Sequence, residues 1–260
     1  MGIPKLNLEA GAPKLKGVSR EEWEARVLLA ACYRVFAHIG WTEMIYNHIT
    51  LRVPGPDKHL LINPFGLHYS EITASNLVKI DLDGNILSDS KWPVNPAGLA
   101  PHATVHRHIE QAHCVMHTHT TAGLAVACTR GGLSMTNFYS AQLYGKVAYH
   151  DFEGITVEAD EGPRMLKHMD GKPILILRNH GLLAWGETLP QAFAHMWTVQ
   201  RACEIQVASM GMGELIPIPV PVLEQATRVS FQFDPKFGAG VDVFNALIRQ
   251  IDRYDQSYKS

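Results

Sequence analysis

"KPILILRNHGLLAWGETLPQAF", residues 172–193, constrains the fold more than any other stretch of the chain. Two apolar runs flank a tight Asn-His-Gly turn and read as buried strands joined back to back. Thr188 and Gln191 then stand at capping-box spacing and open a helix over "LPQAFAHMWTVQRACEIQVASMG", whose apolar positions bury one broad face. A hairpin that feeds a helix needs a sheet to join and a layer to pack against.

The rest of the chain supplies both. "SREEWEARVLLAACYRVFAHIG" opens with Ser19 and Glu22 in the same capping spacing and carries Val27, Leu28, Ala31, Cys32, Val35 and Phe36 at helical periodicity, ending at Gly40. "NHITLRVPG" and "KHLLINPFG" are short β-rich runs closed by turns, and "LVKIDLDGNIL" reads as a hairpin around Asp-Gly. Pro101 is expected to begin the helix "PHATVHRHIEQA", which feeds the apolar strand "CVMHTH". A short helix at "TAGLAVACTRGG", a strand at "YGKVAYHDF" and a helix at "DEGPRMLKHMDG" follow. Hairpins interleaved with helices predict an α/β architecture around a largely antiparallel central sheet.

Composition excludes several classes. The formal charge is -2 over 260 residues with the two signs interspersed, so neither nucleic acid nor an anionic membrane is expected as a partner. Neither a transmembrane segment of about 18 apolar residues nor a long apolar N-terminal core occurs, and a soluble protein is expected. Cys32, Cys114, Cys128 and Cys203 are scattered without a C-x-x-C pair, which fits a reducing, cytoplasmic setting. Fourteen histidines remain as the main chemical clue.

On a strand, positions i and i+2 share a face, so His117 and His119 can offer two imidazoles to one ion while Thr118 points away. His180, in the tight turn after "PILILRN", offers a third at the rim of the sheet. Three neutral imidazoles with an open position form a recurring catalytic zinc set, and imidazole also accepts manganese, iron, cobalt or nickel. The competing reading makes His117 and His119 hydrogen-bonded sheet residues and His180 a turn former. His102 and His106 share a helix face at the spacing of H-E-x-x-H, but Ala103 replaces its glutamate, so a zinc protease is not expected.

Several separated blocks, "IYNHITLRVPG", "INPFGLHYSEITASNLVKID", "NPAGLAPHATVHRHIEQAHCVMHTHTTAG", "GKVAYHDFEGI" and "ILILRNHGLLAWGETLPQAF", together resemble the class II aldolase/adducin family from about residue 20 to 210. The resemblance implies a three-layer α/β/α sandwich with a mostly antiparallel central sheet. It also implies a divalent metal, zinc first, on His117, His119 and His180, and a homo-oligomer, with a tetramer favoured. In sugar-phosphate aldolases of this family, backbone loops and a Ser-Ser pair hold the substrate phosphate, and a neighbouring glutamate is the acid/base. Here Tyr46 replaces the first-loop glycine beside Asn47, the second loop reads Phe65-Gly66, and the Ser-Ser-Glu positions fall on Pro96, Ala97 and Gly98.

Without a carboxylate at 98, phospho-sugar cleavage by the usual route is not expected. The expectation is a metal-dependent lyase, cleaving C–C bonds in aldolase fashion or by decarboxylation, on a small non-phosphorylated hydroxy- or oxo-carboxylate or aldehyde. Decarboxylation needs no initial proton abstraction and tolerates Gly98 better. Asn47 and His102 are the candidate catalytic residues; Asn63 is a further candidate to orient substrate, and Tyr46 or His48 to supply a proton. The alternatives are a non-catalytic, adducin-like assembly module, since adducins are cytoskeletal proteins in animals, and an iron-dependent oxygenase on the same fold. Three segments are expected: a mobile arm over 1–18, the aldolase/adducin-like domain over 19–215, and a linker with a last helix over 216–260. That helix places Phe244, Leu247, Ile248 and Ile251 on one face, suited either to a neighbouring subunit or to its own domain.

Overall fold

A computed structural model describes residues 5–155 and 160–260. Helix α1 spans Arg20–His38, and the Ser19 side chain accepts from the Glu22 N–H at 3.1 Å, as the capping spacing predicts. Strands β1 (His48–Arg52), β2 (Leu60–Ile62) and β3 (Val78–Ile80) form an antiparallel meander. Then come helix α2 (Pro96–His108), strand β4 (Cys114–Thr118) and the short helices α3 (Thr121–Ala127) and α4 (Phe138–Ala141). Strand β5 (Val147–His150), helix α5 (Glu161–Met169), strands β6 (Ile174–Leu177) and β7 (Gly181–Gly186), and helix α6 (Leu189–Ser209) complete the core. Helices α7 (Val220–Arg228) and α8 (Val241–Ile251) follow.

The seven strands lie in the order β3-β2-β1-β4-β7-β6-β5, and every neighbouring pair is antiparallel except β5 with β6. The alternation of side chains along each strand fills two apolar layers. On one face Ile49, Leu51, Cys114, Met116, Ile174, Ile176, Leu182 and Ala184 pack under α1, α6 and α8. On the other, Val115, Leu175, Leu177 and Leu183 meet Val105 of α2 and Met165 and Met169 of α5, while Leu60, Ile62, Val78 and Ile80 meet Leu99 and Ala103. This is the α/β fold with a mostly antiparallel sheet that the sequence predicts.

Helix α2 starts five residues before the predicted Pro101. Asn95 caps the Ala97 N–H, Pro96 takes the first helical position, and Pro101 lies inside the helix. Proline at the start forfeits nothing, whereas Pro101 gives up one intrahelical bond and is retained because α2 is held by packing. Helix α7 arises inside the stretch read as linker: Pro219 and Pro221 occupy its cap and first turn, where a missing N–H is tolerated. In α8, Phe244, Ile248 and Ile251 are buried against their own domain, which answers the question its apolar face posed. Residues 5–18 hold neither helix nor strand, yet Asn245 bonds the backbone of Lys5 and Asn7, and Leu6, Leu8 and Leu15 pack on the core. Among the described residues, no helix is long and apolar enough to cross a membrane.

Candidate metal centre

Strand parity decides which side chains meet. His117 pairs across the ladder with His48 of β1 and Leu183 of β7, so His48 and His117 stand on the α2 face of the sheet. Thr118 faces the opposite way, its hydroxyl against the Met196 sulfur of α6 at 3.5 Å. Past the end of β4 the Asn47 side-chain oxygen accepts from the His119 N–H at 3.0 Å, while the Asn47 amide nitrogen donates to the Trp41 carbonyl at 3.3 Å. Asn47, expected as a catalytic group, is thus buried and anchors the backbone of His119.

The turn between β6 and β7 delivers the third imidazole. Asn179 takes φ +58°, a conformation in which asparagine is tolerated, and a Cβ at Gly181 would collide with the Thr118 carbonyl oxygen. The turn therefore lies directly on the end of β4, and His180 lands beside His117 and His119. Ring centroids in this trio are 4.5, 4.7 and 5.0 Å apart, and one nitrogen from each lies within 4.8 Å of the others.

The hydrogen bonds of His117 determine its tautomer. The Leu182 carbonyl can only accept, so His117 Nδ1–H donates to it at 2.9 Å and Nε2 carries the lone pair. That nitrogen lies 2.7 Å from His119 Nε2, which supplies the proton between them. Burial drives His117 well below the ordinary histidine pKa and lowers His180 to about 4. Burial also lowers His119, partly offset by the Glu43 carboxylate. Three neutral imidazoles with converging nitrogens, one oriented by a backbone carbonyl, fit a divalent cation of the zinc type.

The trio lines a cavity of about 470 Å³ together with Glu43, Tyr46, His48, Gly98, Phe152 and Ile155. No lysine or arginine lines it among the described residues, and Glu43 is its carboxylate. Glu43 and Met44 both hold positive φ, +25° and +55°, a strained pair that fixes the loop entering β1.

His102 lies behind this wall. It is fully buried, its ring 4.6 Å from that of His48, and it does not line the cavity. A relay fixes its protonation. The Ala112 carbonyl accepts from His106 Nδ1–H at 2.7 Å, so neutral His106 accepts at Nε2 from the Thr50 hydroxyl at 2.7 Å. Thr50 in turn accepts from His102 Nδ1–H at 2.7 Å, leaving His102 Nε2 with a bare lone pair and no partner. Burial lowers His106 to about 3 and His102 well below its usual range. Thr50→Val should remove one donor and one acceptor from this chain and lower stability by about 2–4 kcal/mol, with Thr50→Ser losing less, as read by urea unfolding. Equal stability of the valine variant and wild type would rule the relay out.

Tyr46 and His48 line the cavity as their candidacy requires, whereas Asn63 is buried and accepts from the Tyr33 hydroxyl at 3.0 Å, away from it. Thr50 and Glu43 were not legible as site residues. The signal for Thr50 was present, since it shares a strand face with His48 and α2 carries two histidines one turn apart.

The chain and its fold have counterparts among known proteins. The model of the Class II Aldolase and Adducin N-terminal domain matches residues 27–207. The fold is similar to that of an aldolase II superfamily protein from Pseudomonas syringae, with a TM-score of 0.88, 39% identity, and 94% of this chain and 98% of that one covered. It is also similar to the L-fuculose 1-phosphate aldolase of Glaciozyma antarctica, at TM-score 0.81 and 25% identity over 96% and 98% of the two chains. Alpha-adducin of Rattus norvegicus is 40% identical over 241 residues, covering 87% of this chain and 33% of the adducin.

Proposed function

The chain belongs to the class II aldolase and adducin family, and from that premise we propose that it is a metal-dependent lyase for small, non-phosphorylated hydroxy- or oxo-carboxylates or aldehydes. The convergence of one nitrogen each from His117, His119 and His180 within 4.8 Å carries this reading. A divalent ion there, zinc first and manganese, iron, cobalt or nickel by the same donor set, supplies Lewis-acid polarisation of substrate oxygens when bound. Leu182 holds the His117 ring and Asn47 the His119 backbone in position, so that metal uptake would chiefly require the proton between the two Nε2 atoms to be given up.

The cavity favours a compact substrate without a phosphate, because no basic side chain among the described residues lines it to anchor one. Gly98 supports decarboxylation over cleavage that begins with proton removal. Where a proton must move, we assign Glu43, the carboxylate on the cavity wall. The homo-oligomer implied by the family, a tetramer, finds support in exposed apolar side chains such as Met212, Ile216, Phe231 and Phe237.

The likeness to alpha-adducin favours a second reading, an assembly module in which the histidines hold a structural ion or none. Elemental analysis combined with an assay for C–C cleavage of small hydroxy and oxo acids separates the two. A lyase should carry one divalent ion per chain and lose turnover on chelation, with recovery on metal return. A metal-free protein whose properties ignore the chelator would leave only the assembly module.

A further inference from the structure

Position 98 lacks a side chain for a reason that lies on the strand facing α2. A Cβ built on Gly98 would stand 2.6 Å from His48 Nδ1 and 2.7 Å from its Cε1, so the imidazole of His48 fills the volume into which a residue at 98 would project. The ring is anchored there rather than resting loosely: its Nδ1–H donates to the Tyr46 carbonyl at 3.1 Å, and it packs 4.6 Å from His102 and 5.1 Å from His117 between ring centroids. Since a carbonyl can only accept, the buried neutral ring carries its proton on Nδ1 and a lone pair on Nε2. That Nε2 is buried and has no hydrogen-bond partner, although His48 lines the cavity that holds the three metal-site histidines. The groups around it do not satisfy it either. His102 Nε2 is likewise a bare acceptor, and His117 Nε2 already takes a proton from His119.

A buried acceptor without a donor is disfavoured unless something else supplies the hydrogen. We propose that His48, whose ring occupies the space a side chain at position 98 would take, is a substrate-binding residue, and that its Nε2 accepts a hydrogen bond from a substrate hydroxyl, so that the site selects α-hydroxy acids over the matching oxo acids. The inference rests on the metal-site reading above. A keto oxygen has no hydrogen to give and would face a lone pair, whereas a hydroxyl donates to Nε2 and keeps its own lone pairs for other partners.

Lactate and pyruvate differ in this group, and the absorption of the cobalt-loaded protein reports the binding of either. Wild type should bind lactate about tenfold or more tighter than pyruvate. His48→Asn keeps a donor near the Tyr46 carbonyl but is too short to place an acceptor where Nε2 stands, and should bind the two acids about equally while retaining cobalt; His48→Gln should restore part of the preference. Absence of a preference in wild type, or its survival in His48→Asn, overturns the role of His48 alone. Failure of wild type to hold cobalt overturns the metal reading and this inference with it. A second measurement needs no metal: Gly98→Glu should lower the melting temperature strongly, and adding His48→Ala should recover much of the loss. Equal losses with and without His48 would show that the two positions do not share one volume.

Discussion

His119→Ala should lower the affinity for zinc or cobalt by more than about a hundredfold while leaving the metal-free fold intact. Loss of a partner one shell further out already weakens metal binding by about 10–100-fold, and the proposed centre makes His119 a direct donor. The fold survives because His119 lies beyond the last residue of β4 and is only half-buried, and its backbone N–H keeps its bond to Asn47 after truncation. Isothermal titration measures the first quantity and thermal melting the second. At a metal concentration about a hundred times Kd, wild type should gain roughly 5–10 °C in Tm, a gain the variant should lack at that concentration. Wild-type affinity in the variant would place the metal elsewhere.

Acidification should unfold the metal-free protein well above the range in which carboxylates titrate. Burial lowers His48 and His106 to about 3, and His180 and His195 to about 4, from an ordinary value of 6.5. The sign follows from linkage: below 6.5 the unfolded chain takes up protons that these rings refuse in the folded state. Their stability contribution is whole above 6.5 and is lost as the pH falls from there towards 3. Each pKa unit corresponds to about 1.4 kcal/mol, so by pH 5 the buried His48 and His106 would each withdraw about 2 kcal/mol. Calorimetry should show Tm falling by about 10 °C or more between pH 7.5 and 5. A flat profile across that interval would mean that the rings accept protons without unfolding.

Much of the fold is legible locally. The Ser19 cap, the Asn-His-Gly turn and the apolar alternation of β4, β6 and β7 lie within a few residues of the elements they define. Helix starts at proline were harder. Pro101 carries the same local signal as Pro96, and only the Asn95 cap and the packing of α2 decide between them. Helix α7 was hidden for a related reason, because prolines that mark irregular chain also suit a first helical turn.

The site divides in a similar way. His117 and His119 are paired by strand periodicity alone, and the turn chemistry around Asn179 and Gly181 makes His180 a candidate third ligand. That the position where the family resemblance implies a glutamate holds Gly98 is equally plain in the chain. Register, however, is a long-range property: His48 faces His117, and Thr50 faces His102 and His106, because β1 pairs with β4 in one of several possible alignments. The sequence by itself determined most element types, the candidate trio His117, His119 and His180, and the glycine at position 98. Only the tertiary structure decided that Asn47 is an anchor, that His102 lies behind the wall, and that His48 fills the space beside Gly98. Those roles depend on packing between segments about 50–70 residues apart, and no local pattern of side chains encodes such contacts.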